Sequence, residues 1–388
     1  MNKERIVVMK KSIAVTLAAI LAASLITGCG GSQTKPFATS AASTASSQED
    51  HDTGKSTETE TSNQEDKTNA TGQDESSPDE SLSENPGEES APVRVGSLKG
   101  PTSMGLVFLM QMEEEGKSEN SYEFTMVTAA DELLPKVISG DVDIALVPAN
   151  VASVLYNRTE GHVSVIDINT LGVLYAVSAD TSIQSMADLK GKTVYITGKG
   201  TTPDYVFRYL LDANGLSDSD VTLEFKSEPT EVAALLAENP NAIGVLPQPF
   251  VTAACAQNES LAMVLDLTRE WDALQAGEEK SRLVTGVTLV RNEFLETRPD
   301  AVSTFLKDHE KSASYTVEQA DRASELIAKA GIIEKVPVAK KALPYCNITC
   351  ITGQEMKDAL KGYLQVLFDQ DAKSVGGELP GDDFYYSE

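Results

Sequence analysis

The stretch Val142-Asp143-Ile144-Ala145-Leu146-Val147-Pro148-Ala149-Asn150 decides the fold class of this chain. Its first six residues form a mostly apolar run of strand length, which is typical of a strand buried in a parallel sheet. A short helix from Asp131 to Ser139 is predicted before the run, and Pro148-Ala149-Asn150 opens the next helix. Strands and helices that alternate at this spacing predict an α/β fold with a parallel sheet and right-handed crossovers.

The alternation continues on both sides of this stretch. Strands are predicted at Val93 to Leu98 and at Tyr122 to Val127, with a helix from Met104 to Met112 between them. Two further strands, Val163 to Ile168 and Gly172 to Ser178, follow on the C-terminal side. We therefore expect a first α/β block that reaches to residue 178.

A second α/β block begins near Met186. Its strands are predicted at residues 194–197, 222–225 and 243–246, and a glycine-rich turn at residues 198–203 opens a helix. The β-branched run from Val284 to Val290 returns the chain to the first block, and the sequence that follows is mostly helical. The chain from residue 92 onward is long enough for two packed lobes.

The N-terminal region has the pattern of a bacterial lipoprotein signal. Basic residues precede an apolar stretch from Ser12 to Ile26, which has the length of a signal-peptide h-region. Leu25-Ile26-Thr27-Gly28-Cys29 then fits a site where the signal is removed and the cysteine is acylated, with palmitate or similar chains. Two acyl chains hold a protein stably on a membrane. We expect a signal peptide at residues 1–28 and a lipid anchor on Cys29 at the extracytoplasmic face; an ordinary secretory signal with a chance cysteine is the alternative.

Residues 29–91 are predicted to be a disordered, acidic tether. Between Glu49 and Glu89 there are 14 acidic residues and two lysines, in a chain of net charge −27. Such a segment cannot bury enough apolar surface to offset its ordering entropy, and its like charges extend it. The acidity therefore needs no cationic partner, and it argues against nucleic acid as a partner.

Cysteines and histidines show no metal-ligand spacing. The histidines are His51, His162 and His309, and the sequence predicts neither a metal site nor a cofactor. Cys346 and Cys350 flank three residues, and in an extended strand residues four apart lie about 13 Å apart. A disulfide between them would require a turn.

Several segments recur in the same order in one known family. They are Ser139 to Ala145 between two helices, Asp188-Leu189-Lys190-Gly191-Lys192-Thr193 before a strand, and Gly286 to Val290 followed by Arg291-Asn292-Glu293-Phe294 and Arg298 to Val302. With this order, residues 93–368 resemble type II bacterial solute-binding proteins, the extracytoplasmic receptors of ABC importers. The chain is most similar to the branch that binds nitrate, sulfonates, taurine and thiamine precursors.

The resemblance implies a type II periplasmic-binding-protein fold, with two α/β lobes, two strands that cross between them and a ligand in the cleft. Residues 92–178 would be the first part of lobe 1, residues 179–284 lobe 2, and residues 285–388 the return to lobe 1 with the C-terminal helices. The resemblance also implies a monomer without catalytic activity. Its partners would be a sulfonate, nitrate-like anion or vitamin precursor, and the ABC permease and ATPase subunits.

The expected ligand contacts follow from a general rule. In open α/β sheets, ligands bind beyond the carboxyl ends of the strands, where helix N-termini present free N–H groups. The rule selects Lys99, Pro101, Thr102, Ser103, Asp131, Asn150, Gly200, Thr201, Thr202 and Gln248. Some have a plain structural alternative: Lys99 as a solvated side chain, Asp131 and Asn150 as helix-start residues, and Gly200 as part of a simple turn. Trp271 is a weaker candidate for stacking on a ligand, with core packing as the alternative.

We therefore expect an extracytoplasmic solute-binding lipoprotein that captures a small polar nutrient and delivers it to an ABC importer. An exported enzyme on the same fold, either precursor-synthesising or hydrolytic, is the alternative. The sequence contains no Gly-x-Ser-x-Gly nucleophile elbow and no zinc-protease histidine motif, which disfavours the enzyme. The sequence does not choose among the ligands.

Overall fold

The computed structural model describes residues 91–275 and 281–387. The predicted signal peptide, Cys29 and the predicted tether lie outside the described residues. The strands are β1 (Val93–Leu98), β2 (Tyr122–Val127), β3 (Ile144–Pro148), β4 (Val163–Leu171), β5 (Leu174–Ser178), β6 (Thr193–Thr197), β7 (Thr222–Lys226), β8 (Ile243–Pro247), β9 (Ala262–Asp266), β10 (Val284–Arg291) and β11 (Ile348–Ile351).

Helices separate most of these strands. They are α1 (Pro101–Met104), α2 (Val107–Glu114), α3 (Ala130–Ser139), α4 (Ala149–Arg158), α5 (Thr202–Ala213), α6 (Pro229–Glu238), α7 (Phe250–Gln257), α8 (Leu267–Leu274), α9 (Asn292–Thr297), α10 (Pro299–Glu318), α11 (Ala320–Lys329), α12 (Val336–Ala342) and α13 (Gly353–Gln370). Within the described ranges, none of them is both long enough and apolar enough to span a bilayer.

The strands form two sheets. The first has the order β11-β4-β10-β3-β1-β2, in which β1 is parallel to β2 and β3, while β10 is antiparallel to β3 and β4. The second has the order β7-β6-β8-β5-β9, in which β6 is parallel to β7 and β8, and β5 is antiparallel to its neighbours. The α/β class with two lobes is confirmed, but the prediction of a parallel sheet is wrong for the strands next to the passages between sheets.

The chain passes between the sheets twice. It leaves the first sheet at Gly172 and Val173, since β4 pairs in the first sheet and β5 in the second. It returns after α8, when β10 inserts between β3 and β4. The change of sheet therefore comes before β5, whereas the sequence prediction kept residues 174–178 in lobe 1.

The central strands of the first sheet are buried, and one apolar cluster packs on each face of the sheet. Every residue of β4 is buried, and Ile144 and Leu146 of β3 pack with β1, α2 and α10 on one face. Ala145 and Val147 face the opposite side, toward α3, α4 and α13. This alternation follows from the two-residue period of a strand. Burial of each large apolar side chain stabilises the fold by about 1.5–3 kcal/mol, so the continuous apolar run specifies a central strand.

The predicted helix from Met104 to Met112 is two helices. The carbonyl of Met104 accepts a hydrogen bond from Thr316 Oγ1 at 3.3 Å, and Leu109 N–H donates to Ser312 Oγ at 3.0 Å. These side chains of α10 satisfy backbone groups that a helix end leaves without intrahelical partners. The break between α1 and α2 is therefore stabilised by a distant helix, which local sequence does not reveal.

The C-terminal segment packs on the first sheet. Phe384 is fully buried, and Tyr385 forms an isolated parallel β-bridge with Val165. The Tyr386 N–H donates to the Val165 carbonyl at 2.9 Å. These contacts place residues 384–386 on the first sheet, within the range assigned from the sequence to lobe 1.

An ion-pair cluster fixes one end of this sheet. The carboxylate of Asp143 accepts hydrogen bonds from Arg94 Nε at 2.9 Å and Arg94 Nη2 at 2.6 Å, and from Arg291 Nη2 at 3.2 Å. The Asp143 side chain is 2 % exposed. Desolvation raises the pKa of this carboxyl, but the hydrogen bonds from the two arginines outweigh it and hold the pKa below its usual value.

Asp143→Asn is expected to reduce the free energy of unfolding by about 2–4 kcal/mol at pH 7, because two arginines lose their buried partner. The depressed pKa means that the contribution of Asp143 is present above the unfolded carboxyl pKa of about 3.9 and is lost as pH falls through the folded value. Urea unfolding of both proteins from pH 7 to pH 3 measures this difference.

Glu293→Gln is the matched control, since Glu293 is the exposed partner of Arg291 at 2.8 Å. An exposed pair contributes about 0–1 kcal/mol. Equal stability of wild type and Asp143→Asn at pH 7 would contradict the role given to Asp143.

Candidate ligand-binding site

The passage between β4 and β5 is closely packed around Gly172. A Cβ atom at this position would overlap Thr268 Oγ1 and Leu283 Cδ2. Asn347 Nδ2 donates to the Gly172 carbonyl at 2.5 Å, and the Leu171 N–H donates to the Asn347 carbonyl at 3.0 Å. The link between the lobes is therefore fixed by a residue from the C-terminal part of the chain.

The hydroxyl groups of Thr102 and Ser103, just after β1, hydrogen-bond the end of that strand. Ser103 Oγ donates to the Leu98 carbonyl at 2.5 Å and lies 2.8 Å from Ser97 Oγ, and Thr102 Oγ1 donates to the same carbonyl at 3.0 Å. Ser103 is fully buried and Thr102 is 7 % exposed. In this conformation both hydroxyls already have partners, and their assignment as ligand contacts stays a prediction.

Gly286 brings Thr102 to the centre of the first sheet. A Cβ on Gly286 would lie 2.5 Å from Asn169 Oδ1 and 2.5 Å from Thr102 Cγ2. The absence of a side chain therefore lets α1, β4 and β10 approach one another, as at other glycines where elements pack closely.

A chain of buried hydrogen bonds continues from Asn169. Thr170 Oγ1 donates to Asn169 Oδ1 at 2.9 Å, and Asn169 Nδ2 donates to Thr288 Oγ1 at 3.2 Å. Thr288 Oγ1 donates to Asp167 Oδ1 at 2.8 Å, and His309 Nδ1 lies 3.0 Å from Asp167 Oδ2. Sequence reasoning missed this network, because its members lie within strands and a helix whose apolar pattern dominates.

The remaining first-lobe candidates lie apart from this network. Lys99 is exposed, and its backbone N–H donates to the Val127 carbonyl at 2.8 Å. Pro101 is the first residue of α1, and Asp131 is exposed in the first turn of α3, whose N-cap is Ala129. Asn150 Nδ2 donates to the Ser374 carbonyl at 3.3 Å, so this side chain joins α4 to the C-terminal segment.

The glycine-rich turn of the second lobe closes on itself. Gly200 N–H donates to Asp204 Oδ2 at 2.9 Å, and Thr201 Oγ1 donates to the Gly198 carbonyl at 2.6 Å. Asp204 also accepts from Arg208 Nε at 2.6 Å. The Asp204 carboxylate therefore accepts the hydrogen bond from the Gly200 N–H, which an anionic ligand would otherwise accept. This favours the simple turn over an anion-binding loop.

Thr202, in contrast, faces an aromatic cluster. It lies near Tyr363 of α13, which is fully buried, and burial raises the pKa of that tyrosine. Trp271 is fully buried, with ring centroids 4.6 Å from Tyr209 and 5.7 Å from Tyr363. Trp271 thus packs in the core where α5, α8 and α13 meet, as its alternative interpretation proposed.

Gln248 lies beside a cavity. Its Oε1 accepts from Thr252 Oγ1 at 2.8 Å, its Nε2 lies 4.0 Å from Met263 Sδ, and its backbone N–H donates to the Val173 carbonyl at 2.9 Å. Thr252 and Met263 line a cavity of about 270 Å³, whose other walls include Lys341 and Tyr345. Residues of α7 and β9 in the second lobe, together with Lys341 and Tyr345, thus line one open cavity that is mainly apolar and carries a lysine and a threonine hydroxyl.

Tyr345 is held in place by Tyr175. Tyr175 Oη donates to the Tyr345 carbonyl at 3.0 Å, and the two rings meet edge to face with centroids 6.1 Å apart. Burial raises the pKa of Tyr175, so it remains a hydrogen-bond donor at neutral pH. Lys341 and Tyr345 were not selected from the sequence, because they follow no strand.

Two comparisons by sequence find similar proteins. Residues 137–323 match the family model described as NMT1/THI5 like. Curated proteins of Brucella abortus and Brucella suis that are named as binding proteins are each 23 % identical to the chain over 202 residues. The match covers 52 % of this chain and 59 % of each relative, so the chain matches less than two thirds of their length.

Solved structures show the same fold over most of the described residues. An ABC transporter from Parabacteroides distasonis has a TM-score of 0.64 and 22 % identity, with 76 % of this chain and 99 % of that chain covered. The periplasmic aliphatic sulphonate binding protein SsuA from Escherichia coli has a TM-score of 0.60 and 18 % identity, with 76 % and 92 % covered. The chain therefore has the fold of these two structures, and the predicted two-lobed α/β fold is confirmed.

Gly286→Ala is expected to destabilise the protein by about 1–3 kcal/mol, because the added methyl group meets Asn169 Oδ1 and Thr102 Cγ2 in a packed interior. Thermal or urea unfolding measures the change. Combining it with Thr102→Ser removes one of the two obstructing atoms and should restore part of the loss. A Gly286→Ala protein as stable as wild type would contradict the close approach of α1, β4 and β10.

Proposed function

We propose that this chain, whose residues 137–323 match the NMT1/THI5-like family model, is the solute-binding protein of an ABC importer. The observation that carries the proposal is the fold: two α/β lobes joined at a closely packed passage around Gly172. This architecture suits a protein that binds a ligand between lobes and releases it, and the named relatives and structural neighbours support that role.

Binding would proceed by closure of the lobes. Hinges are short segments at the ends of elements that absorb changes in backbone angles. The segment at residues 171–173 lies between β4 and β5, and Asn347 hydrogen-bonds it on both sides. Movement there would change the distance between β8, which leads to Gln248, and the first lobe.

The ligand we propose is a small organic anion with an apolar part. The cavity beside Gln248 combines the Lys341 ammonium and the Thr252 hydroxyl with the Tyr345 ring and the Met263 thioether. A cation with a few hydrogen-bonding groups on an apolar wall is a common arrangement in small-molecule sites. An alkanesulfonate has this chemistry, and the name of the Escherichia coli structural neighbour supports the same class.

We also propose that the protein works on the extracytoplasmic face of the membrane, where the acidic tether would connect the lipid anchor on Cys29 to the folded lobes. The sequence of residues 12–29 supports this location, since it combines an apolar stretch with a lipoprotein-type cysteine. The permease and the ATPase subunits would be its partners.

A thermal-shift screen of the purified chain tests the function. The panel contains taurine, longer alkanesulfonates, nitrate, hydroxymethylpyrimidine, thiamine, riboflavin and amino acids. A ligand at 100 times its dissociation constant should stabilise the folded state by about 2.7 kcal/mol, which raises the melting temperature by several degrees. Shifts confined to one chemical class would support a binding protein. Turnover of a compound without a shift would instead support the exported enzyme.

Lys341→Gln tests the position of the site. Loss of a charge-assisted hydrogen bond costs about 1.5–3 kcal/mol, so the affinity for an anionic ligand should fall about 10- to 100-fold. Isothermal titration calorimetry measures the affinity. Lys335→Gln is the matched control, because Lys335 is an exposed lysine at the N-terminal end of α12 and lies outside the cavity wall. Equal affinities of both variants and wild type would place the ligand elsewhere.

Cys29→Ser tests the anchor. In a bacterial host, the wild-type chain is expected in the membrane fraction and to incorporate labelled palmitate, whereas the variant should lose the label and leave the membrane fraction. Cys255→Ser, in α7, is the control and should behave as wild type. Incorporation of label into Cys29→Ser would refute lipidation at this residue.

A further inference from the structure

Three residues with metal-binding side chains meet in the first lobe. Asp167 of β4, His309 of α10 and Cys350 of β11 each place one potential ligand atom within 4.8 Å of the other two. Asp167 and His309 are fully buried, and Cys350 is partly buried. This cluster lies outside the cavity beside Gln248, and neither the fold nor the proposed transport function accounts for it.

The Asp167–His309 pair has the geometry of two neighbouring metal ligands. His309 Nδ1 lies 3.0 Å from Asp167 Oδ2. Zinc binds nitrogen and oxygen ligands at about 2.0–2.2 Å, so two ligands at tetrahedral angles lie about 3.3 Å apart. The other carboxylate oxygen, Oδ1, accepts from Thr288 Oγ1 at 2.8 Å. Outer hydrogen bonds of this kind orient metal ligands.

Cys350 reaches this pair through an irregularity in β11. The strand pairs with β4 at Ile348↔Thr170 and at Ile351↔Ile168, with a register shift between these two positions. Such irregularities redirect side chains, and here the thiol lies near the carboxylate of Asp167. Cys350 also lines a cavity of about 430 Å³ together with Glu310 and Thr352. The cavity gives an ion an entry path and space for a water ligand.

The charges around the thiol favour a cation. The Asp167 carboxylate belongs to the cluster, and Glu310 lines the same cavity as Cys350. A divalent cation would offset the negative field and displace the thiol proton, which is then released to solvent. His309 Nε2 has no hydrogen-bond partner among the described residues.

We propose that Asp167, His309 and Cys350 bind one zinc-type divalent ion, with water as the fourth ligand. A set of one thiolate, one imidazole and one carboxylate suits zinc better than magnesium or calcium, which prefer oxygen ligands alone. The ion would join β4, α10 and β11 within the first lobe. Its role would be structural, independent of the transported ligand.

Cobalt is the probe for this site. The full chain, treated with a chelator and dialysed, is titrated with Co²⁺ and followed by absorption spectroscopy. We expect one equivalent of Co²⁺ to produce a thiolate-to-cobalt charge-transfer band, which Zn²⁺ abolishes by displacement. Cys350→Ser should lose the band, while Cys255→Ser and Cys29→Ser should keep it. A band that persists in Cys350→Ser, or the absence of any band in the wild-type chain, would overturn the proposal.

A second variant covers the case in which Cys350→Ser fails to fold. Thr288→Val leaves all three ligands in place and removes the hydrogen bond that orients Asp167. Loss of such an outer partner typically weakens metal affinity 10- to 100-fold. Folding of each variant is checked by circular dichroism. Unchanged Co²⁺ affinity in a folded Thr288→Val protein would contradict Asp167 as a ligand.

Discussion

Close packing of backbone at Gly172 is the constraint on which the two-lobed architecture depends. Here β4 of the first sheet passes directly into β5 of the second, and no side chain fits between Thr268 and Leu283. Asn347, far along the chain, hydrogen-bonds both sides of this passage. Because the residues around Asn347 contact the link between the lobes, Tyr345 lies against elements of the second lobe. The proposed hinge contacts Asn347, and the cavity beside Gln248 is lined by Tyr345, two residues earlier in the chain.

The buried interior of the first lobe contains a network of polar side chains. Asp167, Asn169 and Thr288 lie on buried strands, and each finds a hydrogen-bond partner within the network. Buried polar groups are tolerated only when they are paired, since an unpaired group costs about 1–3 kcal/mol. The same requirement explains why the buried hydroxyls of Thr102 and Ser103 donate to the Leu98 carbonyl. Several side chains that the sequence rule assigns to ligand binding already form hydrogen bonds with other groups of the protein.

Much of the fold was predictable because apolar periodicity is local. The bounds of β1 and β2 agree with the predicted strands, and the run at residues 142–147 is the buried central β3 with the turn that precedes it. The errors have long-range causes. The helix at Met104 breaks because Ser312 and Thr316 of α10 supply its hydrogen bonds, and β10 is antiparallel because it returns from the other sheet. The rule on strand ends selected Gln248, which lies beside the cavity, whereas it could not select Lys341 and Tyr345, which line the cavity from a helix and a turn.

The sequence by itself determined the α/β class and the order of its segments, because these properties follow from hydrophobic patterning within short windows. The resemblance to a family of binding proteins rested on the order of a few segments, and the lipoprotein-type signal and the acidic tether remain predictions from residues 1–91. Only the tertiary structure decided which polar side chains meet. Asp167, His309 and Cys350 are far apart in the chain and share no spacing motif, and they come together because β4, α10 and β11 pack against one another. Contacts between distant elements depend on topology and strand register, and no short stretch of sequence determines either of them.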